Sequence, residues 1–369
     1  MGFAILGVGT AVPQTAYSQS VAQQVFRALG KLTPEQARLL PRIFGNTGIQ
    51  KRHFVWSQEV VRDILEGTRV TGSVFLRDTA QPDQPTRGPT TKQRMQEYVR
   101  HAGPLAQDAA RQALERAEIA PRQITHLVTV SCTGVHSPGV DVELIQGLGL
   151  PITTERTHIG SMGCHGALNG LRVVRGLTAA DPRARVLLCC VELSSVHCVY
   201  SWDVEQLVAC SLFADGAAAL VGTASGPADS WRMDASGSCV FPDSMDAMSW
   251  SLGDHGFEMR LSKAVPELIA HNLPGWLGEW LFRQGLDVKD VPTWCIHPGG
   301  PKILQAVAEG LRLDDRALEP ARAILAEYGN MSSATILFIL QRLIEQNAPR
   351  PCVALGFGPG LTAEAALLR

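Results

Sequence analysis

A chain of 369 residues with 45% hydrophobic side chains is long enough to bury a large core, as one big domain or two fused halves. Its 33 basic and 35 acidic residues leave a formal net charge of −2, so the overall field selects neither nucleic acid nor an anionic membrane as partner. No apolar run reaches the roughly 18 residues of a membrane span, and the N-terminus lacks the basic region of a signal peptide; a cytoplasmic location is expected.

Residues 3–8 form the first expected strand, followed by helices over 18–29, capped by Ser18, and 34–43. Residues 67–91, rich in Thr, Pro, Gly and Asp, read as a long surface excursion. The stretch 91–117 reads as one or two helices with a break near Gly103-Pro104. A strand over 126–131, a helix over 140–148, a helix opened by Cys164 and reaching about residue 178, and strands over 186–193 and 217–221 follow. Apolar runs bounded by turn signals fit strands buried on both faces of a sheet layered between helices.

The composition shifts at Ala224-Ser225-Gly226-Pro227, which divides the chain into halves 1–225 and 226–369. The second half repeats the mixture, with strands over 231–240, 293–296, 352–355 and 361–368, and helices over 265–283, 301–310 and 332–345. Nine cysteines with no Cys-x-x-Cys pair read as free thiols of a reducing compartment, with neither disulfides nor a zinc site.

Cys164 lies in Ser161-Met162-Gly163-Cys164-His165-Gly166, at the expected start of a helix. Unpaired N–H groups and the helix dipole favour an anion there, so the thiol suits attack on a thioester; a buried structural cysteine is the alternative. The flanking glycines leave room for a substrate. His165 is adjacent but points elsewhere on a helix, and is assigned a structural part. His297 ends a short apolar strand before Pro298-Gly299-Gly300-Pro301, as a base or imidazolium partner for Cys164 or as a capping or core histidine. Asn330, in Tyr328-Gly329-Asn330-Met331-Ser332-Ser333, caps the next helix, donates its amide to an oxyanion or enolate, or does both. Gly356-Phe357-Gly358-Pro359-Gly360 lacks the Lys-Ser/Thr ending of a P-loop and reads as a backbone wall that another group approaches closely.

Four ordered motifs then carry a family resemblance. Leu212-Phe213-Ala214-Asp215-Gly216-Ala217, His297-Pro298-Gly299-Gly300-Pro301, Gly329-Asn330-Met331-Ser332-Ser333 and Gly356-Phe357-Gly358-Pro359-Gly360-Leu361-Thr362 are similar to signatures of type III polyketide synthases, the chalcone synthase-like enzymes. The resemblance runs over the whole chain. It implies an α/β thiolase fold, five-layered αβαβα with two similar halves, working as a homodimer. It makes Cys164 the acyl-accepting nucleophile, completed by His297 and Asn330, and Phe213 the gate between a CoA tunnel and the cavity.

Around the substrate, the resemblance implies Cys132, His197, Met259, Trp250, Ser332, Ser137, Gly358 and Pro359. For CoA it implies Arg42, Gly299, Gly300 and Lys302, although Leu39 and Asn46 stand where two lysines are usual. The substrates are an acyl-CoA starter and malonyl-CoA, with no metal and no redox cofactor. Cys132, His197, Trp250, Met259 and Ser137 depart from the plant pattern and point to a bacterial-type member; Cys132 is a second cavity thiol or a space-filling small residue. The competing expectations are a single-round ketosynthase, a non-catalytic thiolase-fold partner subunit and a cysteine hydrolase.

Overall fold

The apolar runs assemble into one nine-stranded mixed sheet in the computed structural model, which describes residues 2–30, 32–77 and 88–369. In chain order the elements begin with β1 (Phe3–Ala11), β2 (Ala16–Ser18), α1 (Gln19–Leu29), α2 (Pro34–Gly45), β3 (Lys51–His53), α3 (Gln58–Glu66), α4 (Thr91–Arg116), β4 (His126–Ser131), α5 (Val140–Leu148) and β5 (Glu155–Gly160). They continue with α6 (Gly166–Ala180), β6 (Arg185–Leu193), α7 (Val204–Leu212), β7 (Asp215–Thr223), β8 (Arg232–Val240), β9 (Met248–Gly253), β10 (Gly256–Leu261) and α8 (Val265–Arg283). The last are β11 (Thr293–Ile296), α9 (Pro301–Leu311), α10 (Asp315–Tyr328), α11 (Thr335–Glu345), β12 (Cys352–Gly358) and β13 (Thr362–Leu368).

The strand order is β11-β12-β13-β8-β1-β7-β6-β4-β5. β1 and β8 meet only through Phe3↔Met233 and Ala4↔Arg232, so the seam between the two sets of strands is short. Along β6, Val186, Leu188 and Cys190 enter one core while Leu187, Cys189 and Val191 enter the other. That period-two split is what a strand buried on both faces requires. α4 covers β1, β7 and β6 on one side. α6 and α11 each touch strands of both sets and form a shared central layer. α8 lies beyond β8, where Trp280 Nε1 donates to Ser236 O at 3.2 Å. The layering is the αβαβα order of a thiolase fold.

Three expectations change. α4 runs unbroken through Pro104, because Ala102, Leu105, Ala106, Ala109, Ala110 and Ala113 form one buried stripe along it. That burial outweighs the roughly 3 kcal/mol a helix-interior proline costs. The excursion over 67–91 is anchored rather than wholly superficial: Phe75 is buried against Trp56, and Tyr200 Oη donates to Phe75 O at 2.6 Å; residues 78–87 of it lie outside the described residues. Finally, α6 starts at Gly166, and Cys164 occupies a separate 3-10 turn over Gly163–His165 just before it.

Candidate active site

Cys164 sits in a turn that only small residues permit. Gly163 has φ +65°, and a Cβ there would lie 2.7 Å from Pro359 Cδ. A Cβ on Gly358 would lie 2.4 Å from His165 Cδ2 and 2.7 Å from Met162 O. The group that the glycine-rich wall admits is therefore the Cys164 turn itself. His165 is buried and structural, its Nδ1 paired with Asn169 Oδ1 at 2.7 Å, and Asn169 Nδ2 donates on to Glu364 at 3.1 Å.

Asn330 is fixed by its backbone beside the expected gate: Asn330 N donates to Leu212 O at 2.9 Å and Ala214 N to Asn330 O at 2.8 Å, bracketing Phe213. Its Oδ1 accepts from Ser332 N at 2.8 Å, so the amide turns its N–H toward Cys164 Sγ, 4.0 Å away. Asn330 is thus both a local cap and a donor aimed at the thiol. Ser332 Oγ lies 3.3 Å from Cys132 Sγ and lines the same cavity as Cys164. Behind Cys132 stands Glu192, fully buried, which accepts from Cys132 N at 3.0 Å, from Thr133 Oγ1 at 2.8 Å and from Ser333 Oγ. Burial raises the Glu192 carboxyl above its ordinary range against these bonds.

His297 directly follows β11, with its backbone N–H bonded to Leu355 O at 2.8 Å. Its ring is buried, and among the described residues neither ring nitrogen has a partner, so it makes no hydrogen bond to the thiol. Burial, with His165 nearby, pushes the imidazole down to about 3. Burial pushes the Cys164 thiol up to about 11, against the Ser332 hydroxyl and the Asn330 amide. Both shifts disfavour the charged forms, the thiolate and the imidazolium that the sequence reading pairs. A buried polar group without a partner costs about 1–3 kcal/mol, which a bound ligand relieves.

The cavity beside Cys164 measures about 780 Å³ with its mouth, and Cys132, His197, Phe213, Trp250, Met259, Ser332 and Pro359 all line it. Trp250 and Met259 are direct cross-strand partners in the β9–β10 hairpin, so they share one face. Phe257, two residues from Met259, was not foreseen, although the Gly253-Asp254-His255-Gly256 turn between alternating residues signals such a hairpin. Its ring stacks between His197 (4.1 Å between centroids) and Trp250 (5.0 Å). His197 Nε2 donates to Thr133 O at 2.7 Å and Nδ1 accepts from Phe257 N at 3.2 Å, which fixes a neutral tautomer. Burial pushes that imidazole down to about 3. Glu192 was missed too; a charged residue in the apolar run of β6 was the available signal.

Not every expected residue reaches the cavity. Gly358 backs the Cys164 turn instead of lining the space. Ser137 lines a neighbouring surface recess that shares Cys132 and Trp250 with the cavity. Arg42 and Lys302 are exposed; the segment after α2 approaches the start of α9, where a Cβ on Gly48 would lie 3.8 Å from Pro301. Gly300 packs against Leu212, next to Phe213.

Comparison with known proteins assigns both parts of the chain. Residues 2–227 match the family described as chalcone and stilbene synthases, N-terminal domain, and residues 233–369 match its C-terminal domain. The Mycobacterium tuberculosis protein named alpha-pyrone synthesis polyketide synthase-like Pks18 is 31% identical, covering 98% of this chain and 90% of its own. The 1,3,6,8-tetrahydroxynaphthalene synthase of Streptomyces peucetius is 30% identical, covering 100% of this chain and 93% of its own. In structure, the chain is similar to PKS-I from the brown alga Ectocarpus siliculosus, with TM-score 0.91 and 31% identity over 100% of this chain and 98% of that one.

Proposed function

Since the chain belongs to the chalcone and stilbene synthase family and is a type III polyketide synthase, we propose that Cys164 carries the growing product. Cys164 takes an acyl group from a CoA starter, extends it with malonyl units in repeated decarboxylative condensations, and the chain closes to an aromatic or pyrone ring. The observation that supports this most is the Asn330 amide turned on the Cys164 sulfur at 4.0 Å beside an apolar cavity.

In this reading the thiol proton passes to the unpartnered His297 as the sulfur attacks the starter thioester, and CoA leaves as the thiol. Malonyl-CoA then loses CO2, and hydrogen bonds from Asn330 and His297 hold the negative charge of the enolate. The enolate carbon attacks the Cys164 thioester, and the extended chain departs on CoA to begin the next round. No cofactor beyond the CoA thioesters enters these steps.

CoA binding is assigned to Arg42, Gly299, Gly300 and Lys302. α9 begins at Pro301, which has no N–H, and Ile303 N already donates to Gly300 O at 3.1 Å, so the exposed Lys302 side chain at the start of the helix is the group offered to a phosphate. A homodimer is supported by β5, an exposed edge strand, and by the exposed side chains of Ile152 and Val135 near it. Ser137 lines a recess that also includes Gly160 of β5, on the surface where a second copy pairs in this reading. The division at 225/226 follows the short β1–β8 seam, and nine free thiols suit the cytoplasm.

The test is to supply malonyl-CoA with a panel of acyl-CoA starters and weigh the products. Two or more malonyl units per product support iteration; a single unit from every starter indicates a single-round enzyme instead.

A further inference from the structure

Two thiols outside the catalytic set stand together on the cavity wall. Cys198 and Cys210 have sulfurs 3.7 Å apart, and Cys210 lines the cavity while Cys198 is buried behind it. Cys198 follows the 3-10 turn Ser194–His197, which carries the stacked His197; Cys210 lies on α7, three residues before Phe213. Two guanidiniums flank the pair. Arg52 Nη1 donates to Cys210 O at 2.7 Å and Phe213 O at 2.6 Å. Arg94 Nη1 donates to Cys198 O at 2.9 Å and also to Val196 O. Both arginines are buried, and neither has a carboxylate within ion-pair distance among the described residues.

We propose that Cys198 and Cys210 form a dithiol that a hydroperoxide oxidises reversibly to a disulfide, tying the His197 turn to the segment that carries Phe213. The cavity gives the oxidant access to Cys210. A thiolate there gains a hydrogen bond from Cys198 and the charges of Arg52 and Arg94, which together pull the Cys210 thiol down to about 7 against burial. By contrast, burial drives the Cys132 and Cys164 thiols above their ordinary value.

The chemistry closes without another reactant. The Cys210 sulfur attacks one peroxide oxygen, the O–O bond breaks, and water leaves as the sulfur becomes a sulfenic acid. The Cys198 sulfur then attacks the Cys210 sulfur and expels the hydroxyl, which leaves as a second water with the Cys198 proton. Two thiols and one hydrogen peroxide give one disulfide and two waters, with two electrons passing from sulfur to oxygen. A bonded pair stands about 2.05 Å apart, so the sulfurs close by roughly 1.7 Å from their present contact. That draws α7 toward the His197 turn on the cavity wall.

The experiment treats the full-length protein with one to five equivalents of hydrogen peroxide, blocks remaining thiols and maps peptides by mass. The expected result is a linked Cys198–Cys210 peptide, 2 Da lighter than its two reduced parts, formed before other thiols change and reversed by dithiothreitol. Condensing activity falls at least 5-fold with it and returns on reduction. Cys198→Ser leaves the reduced activity near the parent value and abolishes both the link and the reversible loss. A link joining Cys132 to Cys164, oxidation confined to Cys164, or an equal reversible loss in Cys198→Ser would each overturn the proposal. The mass readout stands apart from the function proposed above, so its failure is distinguishable from a failure of that reading.

Discussion

Asn330 presents its side-chain N–H to Cys164 Sγ across 4.0 Å because its own Oδ1 is occupied by Ser332 N at 2.8 Å. The donor is oriented before any substrate arrives, so no reorganisation is needed when charge develops on an enolate oxygen. Asn330→Ala should therefore lower malonyl-CoA decarboxylation by about 10²–10³-fold. Starter loading on Cys164 should fall much less. The two are separated by CO2 release and by acyl-adduct formation; equal losses in both would argue that Asn330 only supports the backbone around Phe213.

The stack of His197, Phe257 and Trp250 closes one side of the cavity, with centroids 4.1 and 5.0 Å apart. Trp250→Ala removes the outer ring and leaves Cys164 and its partners untouched. Products should shift toward chains with at least one further malonyl unit, at comparable total turnover. An unchanged product mass profile would mean that the stack does not limit chain length.

His197 stays neutral in the fold down to about 3, whereas the unfolded chain protonates near the ordinary histidine value of about 6.5. The unfolded state binds the extra proton, so this contribution is complete above about 6.5 and is lost as pH falls through that window toward 3. His197→Gln keeps a neutral donor toward Thr133 and removes the titration. The parent protein should lose more Tm between pH 7 and pH 5 than the variant does. His297, lowered for the same reason, remains in both proteins and leaves the difference between them intact.

Gly358→Ala tests whether the glycine-rich wall serves the Cys164 turn. Its new Cβ would meet His165 Cδ2 at 2.4 Å and the Met162 carbonyl at 2.7 Å, so either the turn or β12 must move. Activity should fall by more than 10-fold, with Tm lowered by several degrees, in line with the roughly 1–3 kcal/mol of overpacking. Normal activity would separate the wall from catalysis.

Much of the frame was legible because long runs obey one period. The strand over residues 126–131 and the helices over 140–148 and 265–283 have the bounds their patterns suggest. The break expected at Pro104 failed because a local cost was set against a buried stripe that only the tertiary fold supplies. α10, with Pro320 inside it, was passed over for a related reason: Leu318, Ala321, Ile324 and Leu325 form its buried face only once β11 and α11 are in place. In the site, Cys164 and Asn330 came from motif context and Cys132, His197, Trp250 and Met259 from family resemblance. Phe257 needed the hairpin register, and Glu192 needed the observation that a charge in a buried strand must have donors around it. The protonation state of His297 was not legible, since it depends on how completely the ring is enclosed.

The most direct test of the account is the mass of the intact protein after brief exposure to a starter acyl-CoA, followed by peptide mapping. One acyl group on the Cys164 peptide, absent in Cys164→Ala along with all product, is the expected result. An acyl group on another residue, or product formation by Cys164→Ala, would contradict the central claim that this thiol carries the growing chain.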